Sequence, residues 1–125
     1  MQQIPKGYAR GRTPKGVMNR LEKKYALEVL DPAMERGFVA GYWYEKVRFE
    51  LAKLTYYTPD FKVYFRDGTV EYHEVKGRWL DKARVKIKIA ASMWPIYRWI
   101  GVMWKGKQWV YEVFEPEEMP RIAYE

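Results

Sequence analysis

The chain has 125 residues, and its 23 Lys and Arg outnumber 16 Asp and Glu, which gives a net charge of +7. This length accommodates one domain, and a hydrophobic content of 48% argues against a wholly disordered chain. Cysteine is absent, which excludes a disulfide scaffold, a cysteine nucleophile and any cysteine-ligated zinc or iron–sulfur site. We find no apolar run of membrane-spanning length and no signal-peptide pattern, so we expect a cytoplasmic protein that does not enter a membrane.

The charge is concentrated in separate segments. Residues 1–24 carry seven basic residues against one acidic residue, and residues 76–88 carry six against one. Residues 111–125 carry five glutamates against one arginine. Clustered positive charge favours binding to nucleic acid, because each neutralised phosphate releases counterions. A charged surface that only confers solubility is the alternative.

Glycine and proline divide the chain into three predicted parts. They interrupt residues 1–17, which we predict to be a flexible basic arm. A folded domain is predicted over residues 18–114, and an acidic tail over residues 115–125.

The first predicted element is a helix over residues 17–34. Leu21, Tyr25 and Val29 are spaced four apart, as on one face of a helix. Alternating apolar and charged residues then predict a strand over residues 43–54.

The second half of the domain begins with a predicted hairpin, in which strands over 61–65 and 69–76 flank a turn at Arg66-Asp67-Gly68. Helical spacing returns over residues 80–93. Two further strands are predicted over 97–104 and 108–114. This order predicts an α/β fold with a central mixed β-sheet flanked by helices.

Two acidic residues and a lysine form the main candidate site. Glu74 and Lys76 lie on the same face of a predicted strand, because side chains two apart point the same way. The predicted hairpin brings Asp60, at the start of the preceding strand, within reach of Glu74. Paired carboxylates suit Mg²⁺, and a neighbouring lysine can orient a water molecule or stabilise developing charge. Ordinary exposed strand residues are the alternative interpretation of this pattern.

Longer motifs surround these residues. Asp60 lies within Tyr57-Thr58-Pro59-Asp60-Phe61, and Glu74 begins Glu74-Val75-Lys76-Gly77-Arg78-Trp79. Together with Asn19-Arg20-Leu21-Glu22, these blocks resemble the PD-(D/E)xK nuclease superfamily and, within it, the phage endonuclease I family of Holliday-junction resolvases. The resemblance is collinear over residues 17–104, and Asn19 replaces the serine of the family's first motif.

The resemblance implies a restriction-endonuclease-like core, an intertwined homodimer and a role for each matched residue. Asp60 and Glu74 would bind one or two Mg²⁺ ions, with the Val75 backbone carbonyl as a further ligand, and Mn²⁺ is expected to substitute. Lys76 would assist the attacking water, and Glu22 would complete a second metal position. In the family, this glutamate can come from the other subunit, which implies a composite site.

The leading interpretation is a metal-dependent endodeoxyribonuclease that makes paired cuts in four-way junctions or other branched DNA. A nicking or linear-duplex nuclease of the same fold is the nearest alternative, and a non-catalytic nucleic-acid-binding module is the other. Predicted DNA contacts lie in the arm, at the start of the first helix and along the second helix. They are Lys6, Arg10, Arg12, Lys15, Asn19, Arg20, Arg78, Lys82, Lys86 and Lys88.

Overall fold

The computed structural model describes residues 16–116. A helical region comes first and comprises α1 (Arg20–Tyr25), one π-helical segment (Ala26–Leu30) and α2 (Asp31–Glu35). The other helix is α3 (Asp81–Met93). The strands are β1 (Val39–Tyr44), β2 (Phe49–Ala52), β3 (Thr55–Tyr57), β4 (Phe61–Phe65), β5 (Val70–Lys76), β6 (Arg98–Lys105) and β7 (Gln108–Phe114).

The helical region begins with a capping box. The Asn19 side chain accepts a hydrogen bond from Glu22 N, and the Glu22 side chain accepts one from Asn19 N. This reciprocal pair satisfies two backbone donors that the helix cannot satisfy itself. The region ends before Gly37, whose φ of 82° lies where glycine is favoured. The predicted first helix is therefore confirmed, with a π-helical segment in its middle.

Five strands form one mixed sheet in the order β1-β4-β5-β6-β7. All neighbouring strands are antiparallel except β5 and β6, which are parallel and are connected through α3. The predicted mixed sheet of an α/β protein is thus confirmed. β2 and β3 form a separate two-stranded hairpin.

The two faces of the sheet carry separate cores. The helical region packs on one face, where Tyr25 and Leu30 meet Phe61 and Val75. On the other face, α3 and the β2–β3 hairpin enclose a second core that includes Phe49, Tyr72, Ile87 and Trp99. The first core includes Phe61 and Val75, the sequence neighbours of Asp60 and Glu74.

The predicted strand over residues 43–54 is wrong. The chain leaves the sheet after Tyr44, because Glu45 has a φ of 48° and its N–H donates to the Asp60 carbonyl at 2.8 Å. The alternation that suggested one long strand belongs to β2, which pairs with β3 instead of joining the sheet.

Two predicted segments lie mostly beyond the described residues. Only residues 16 and 17 of the predicted arm and residues 115 and 116 of the predicted tail are described. No helix within residues 16–116 is long and apolar enough to cross a membrane.

Candidate active site

The turn before β4 and the end of β5 bring Asp60, Glu74 and Lys76 into one electrostatic cluster. Antiparallel pairing places Phe61 opposite His73. Asp60 precedes Phe61 and Glu74 follows His73, so the two acidic residues lie at the same end of this strand pair. Asp60 and Glu74 are buried, whereas Lys76 is partly exposed. The strand pairing expected from the sequence therefore brings these three residues together.

The Asp60 carboxylate is fixed by the backbone of β5. Its Oδ2 atom accepts a hydrogen bond from Val75 N at 2.8 Å. Burial, followed by the negative charges of Glu74 and Glu22, raises the pKa of Asp60 well above its usual value. The site therefore concentrates more negative charge than its protein surroundings neutralise.

Glu22 joins this cluster from the first turn of α1. Its side chain is buried. Its Oε1 atom accepts hydrogen bonds from Asn19 N at 2.8 Å and from Tyr44 Oη at 2.9 Å. Its negative charge is also near enough to Asp60 of the same chain to raise the pKa of that carboxyl group. One chain thus carries all four predicted catalytic residues at one place.

Lys76 is the cationic partner of the cluster. Its Nζ atom lies 2.9 Å from Glu74 Oε2. Burial alone would lower the pKa of Lys76, but the charges of Glu74, Asp60 and Glu22 together raise it. The ammonium form is therefore favoured, and it can donate hydrogen bonds to an anion or a water molecule.

Two tyrosines contact the acidic residues and were not identified from the sequence. Tyr57 Oη donates to Glu74 Oε1 at 2.9 Å, and Tyr44 Oη donates to Glu22. Burial and the charge of Glu74 raise the pKa of Tyr57, so its phenol stays protonated as a donor. Tyr57 lies in the same five-residue motif as Asp60, and this position in the sequence indicates that Tyr57 belongs to the site. Nothing in the sequence pattern indicates Tyr44.

The chemistry of the donors fits a hard divalent cation. Glu22, Asp60 and Glu74 offer only oxygen, and their mutual repulsion would be relieved by bound Mg²⁺ or Mn²⁺. Within residues 16–116, no three acidic or histidine side chains are grouped closely enough to hold a metal ion. Tyr57 and the Val75 N–H already donate to Glu74 and Asp60. Val75 contacts the site through its N–H, and its carbonyl as a ligand stays a prediction.

The predicted DNA contacts are exposed wherever the structure describes them. Asn19 and Arg20 lie at the start of α1, and Asn19 also caps the helix. The Lys86 Nζ atom donates to the Tyr56 carbonyl at 3.0 Å. Arg78, Lys82 and Lys88 are exposed before or along α3. Lys6, Arg10, Arg12 and Lys15 lie outside the described residues.

A second polar cluster lies on the opposite face of the sheet from Glu74. His73 Nδ1 is 2.7 Å from Tyr25 Oη, and His73 Nε2 is 2.9 Å from Glu71 Oε1. Arg98 donates to the other oxygen of Glu71 at 2.8 Å. This chain of contacts is buried at Tyr25, His73 and Glu71 and exposed at Arg98, and through it the single histidine connects the helical region to the sheet.

Comparison of the chain with protein-family models, with curated proteins and with solved structures gives no match.

Proposed function

We propose that this protein is a metal-dependent endodeoxyribonuclease. The observation that carries the proposal is the cluster of Glu22, Asp60 and Glu74 around Lys76 in a chain with a net charge of +7. Structural ion pairs rarely gather three buried carboxylates beside one lysine, because the excess negative charge opposes folding. A site that binds a divalent cation and an anionic backbone accounts for that arrangement.

The proposed metal ligands are Asp60 and Glu74, with Glu22 and the Val75 carbonyl completing the coordination of one or two ions. Bound Mg²⁺ would polarise a phosphoryl oxygen and lower the pKa of a coordinated water molecule. The chain's own residues have separate tasks. Lys76 orients the water or stabilises charge on the phosphate, and Tyr57 holds Glu74 in one orientation.

The preference for branched DNA comes from the sequence resemblance to junction resolvases. The predicted contacts are basic side chains suited to phosphates, which position a protein without reading base sequence. Selectivity would then come from the shape of the substrate. A homodimer would match the two-fold symmetry of paired cuts in a four-way junction. The narrower proposal is therefore a structure-selective enzyme that resolves Holliday junctions.

A nicking or linear-duplex nuclease would use the same residues, and a non-catalytic binding module would use only the basic surface. The three possible functions are distinguished by incubating the protein with a labelled four-way junction or with a matched duplex, in each case with Mg²⁺, Mn²⁺ or chelator. We expect metal-dependent paired cleavage that favours the junction. Equal cutting of duplex would support the alternative nuclease, and binding without cutting in either metal would reject catalysis.

Site variants test the same proposal at the level of residues. Glu74→Gln keeps an acceptor for Tyr57 but removes a charge, and we expect cleavage to fall by at least about 100-fold while junction binding persists. Glu50→Gln is the matched control, because Glu50 is an exposed carboxylate on β2. Parental activity in Glu74→Gln would show that the site is misplaced.

A further inference from the structure

Within residues 16–116, β7 forms an open edge of the five-stranded sheet. Its seven residues pair with β6 without a register shift and include no proline. Its only charged residue is Glu112, and Arg84 neutralises it through hydrogen bonds of 2.6 and 2.7 Å. Natural edge strands usually carry charges, bulges or prolines that prevent pairing with another chain. β7 has none of these protections.

The opposite edge of the sheet is different. β1 pairs with β4 through a register shift between Val39 and Gly41, which marks a bulge or irregularity. Such a feature twists a strand and disturbs the regular spacing of its free backbone groups. Only β7 therefore offers a regular edge among the described strands of this sheet.

The turn before β7 determines which of its backbone groups are free. Gly106 and Lys107 have φ values of 60° and 58°, as in a two-residue type I′ turn, and Lys105 pairs with Gln108. The pair that closes such a hairpin exchanges hydrogen bonds, and bonded pairs then alternate along the strands. The backbone groups of Trp109, Tyr111 and Val113 consequently point away from β6 toward the open edge.

We propose that β7 pairs antiparallel with β7 of a second copy of this chain, centred on Tyr111. This register overlaps all seven residues, joins Tyr111 to the partner's Tyr111, and joins Trp109 to the partner's Val113. All outward groups of the three residues then find partners. The result is a two-fold dimer with one continuous ten-stranded sheet.

The side chains around this edge are suited to a copy of themselves. Tyr111 is 48% exposed, Val113 43% and Val110 37%, so the strand presents apolar surface on both of its faces. The same register brings the turn that carries exposed Lys107 toward the exposed Glu115 just beyond the end of β7 in the second copy, and symmetry repeats this approach. These opposite charges favour association of the two edges.

The proposed interface leaves the candidate site intact. β6 separates β5 from β7, so neither Glu74 nor Lys76 lies in the interface. The dimer gives the proposed nuclease two complete sites without exchange of elements between chains. Dimer formation is measured without DNA or metal. A monomeric protein would therefore reject the β7 interface without rejecting the nuclease activity, and an inactive protein would leave the interface standing.

Sedimentation at micromolar concentration is the first test. The parent chain should sediment as a dimer, and Tyr111→Lys should be a monomer, because two like charges would lie opposite each other at the two-fold axis. Tyr64→Lys is the matched control, because Tyr64 is 41% exposed on the internal strand β4, and it should remain dimeric. A parent chain that is monomeric throughout would overturn the proposal.

Cross-linking provides a second test in case Tyr111→Lys fails to fold. The chain has no cysteine, so Tyr111→Cys introduces its only thiol. Directly opposed residues of a hydrogen-bonded pair have Cα atoms about 5.5 Å apart, which allows a disulfide. Diamide should convert Tyr111→Cys, but not Tyr64→Cys, to a covalent dimer. A parent dimer that Tyr111→Cys cannot cross-link would place the interface elsewhere and overturn the proposal.

Discussion

Asp60 is held in an environment that opposes its own charge. It is buried near the negative charges of Glu74 and Glu22, and among the described residues Lys76 and the Val75 N–H favour its ionised form. Selection for folding alone would favour side chains without this repulsion. A site that binds a cation, in contrast, needs several carboxylates close together. Stability and the proposed activity are thus opposed at this position.

Asp60→Asn should therefore stabilise the metal-free protein while abolishing cleavage. The amide oxygen can still accept the hydrogen bond from Val75 N, and the repulsion with Glu74 and Glu22 disappears. We expect the free energy of unfolding at neutral pH to rise by about 0.5 to 2 kcal/mol, the usual gain from a stabilising single substitution. Urea denaturation in the presence of chelator measures this change.

The pH dependence gives this prediction its control. The folded-state pKa of Asp60 lies above the ordinary value of 3.8, so the folded protein holds this proton more tightly than the unfolded chain. The contribution of Asp60 to stability is full below the unfolded pKa and decreases as pH rises toward the folded pKa. The advantage of Asp60→Asn should vanish near pH 3.8 and grow above it. A destabilised variant at neutral pH would contradict this account.

The sequence predicts the acidic cluster better than the groups that hold it. Asp60, Glu74 and Lys76 could be placed together because strand alternation and a short hairpin constrain their positions. The contact between Tyr44 and Glu22 could not be predicted, because it joins α1 to β1 through tertiary packing. Local patterns carry no information about such distant contacts.

Among the elements, β6 depends on a glycine beside the site. Gly101 pairs with Glu74 of β5, and the Trp79 ring occupies the space where a side chain at 101 would point. A Cβ atom at this position would lie 2.6 Å from Trp79 Cζ2 and 2.9 Å from Phe114 Cε2. Trp79 lies in the connection between β5 and α3, so this close approach packs that connection against β6.

Gly101→Ala should lower the free energy of unfolding by about 1 to 3 kcal/mol, because neither ring can move without disturbing the second core. Gly77→Ala is the matched control. Its Cβ atom would meet only Leu21 Cδ2 at 3.8 Å, which is ordinary contact, so its stability should change little. Thermal unfolding of both variants compares them, and equal midpoints would show that Trp79 adapts freely.

The strand that sequence periodicity placed over residues 43–54 illustrates what element-level patterns omit. The alternation around Val47 and Leu51 is real, but it cannot show where the chain leaves a sheet. The left-handed conformation of Glu45 and its hydrogen bond to Asp60 determine that point. Both depend on the tertiary position of the site, which local periodicity does not encode.

At the scale of the whole molecule, the source of Glu22 distinguishes two kinds of assembly. The structure places Glu22 beside Asp60 of the same chain. The composite site implied by the resemblance would instead take this glutamate from another subunit. The β7 interface proposed above is compatible with the first arrangement, since it joins complete chains.

Mixing two inactive variants tests which chain supplies Glu22. Glu22→Ala and Glu74→Ala should each be inactive, and refolding them together should restore no junction cleavage, because every chain lacks one residue of its own site. If Glu22 acted in the other subunit, mixed dimers would contain one intact site and would nick the junction. Refolding the parent with Glu74→Ala controls for recovery of active protein.

The capping box at the start of α1 connects the stability of this helix to the candidate site. One oxygen of Glu22 completes the helix cap and also accepts from Tyr44. A cation that recruits this oxygen competes with the first helical turn for the same lone pairs. If the proposed cation binds there, the coupling is reciprocal: the cap would weaken cation binding by the same free energy by which a bound cation weakens the cap. Helix formation and cation occupancy would then be linked equilibria, joined through a single carboxylate.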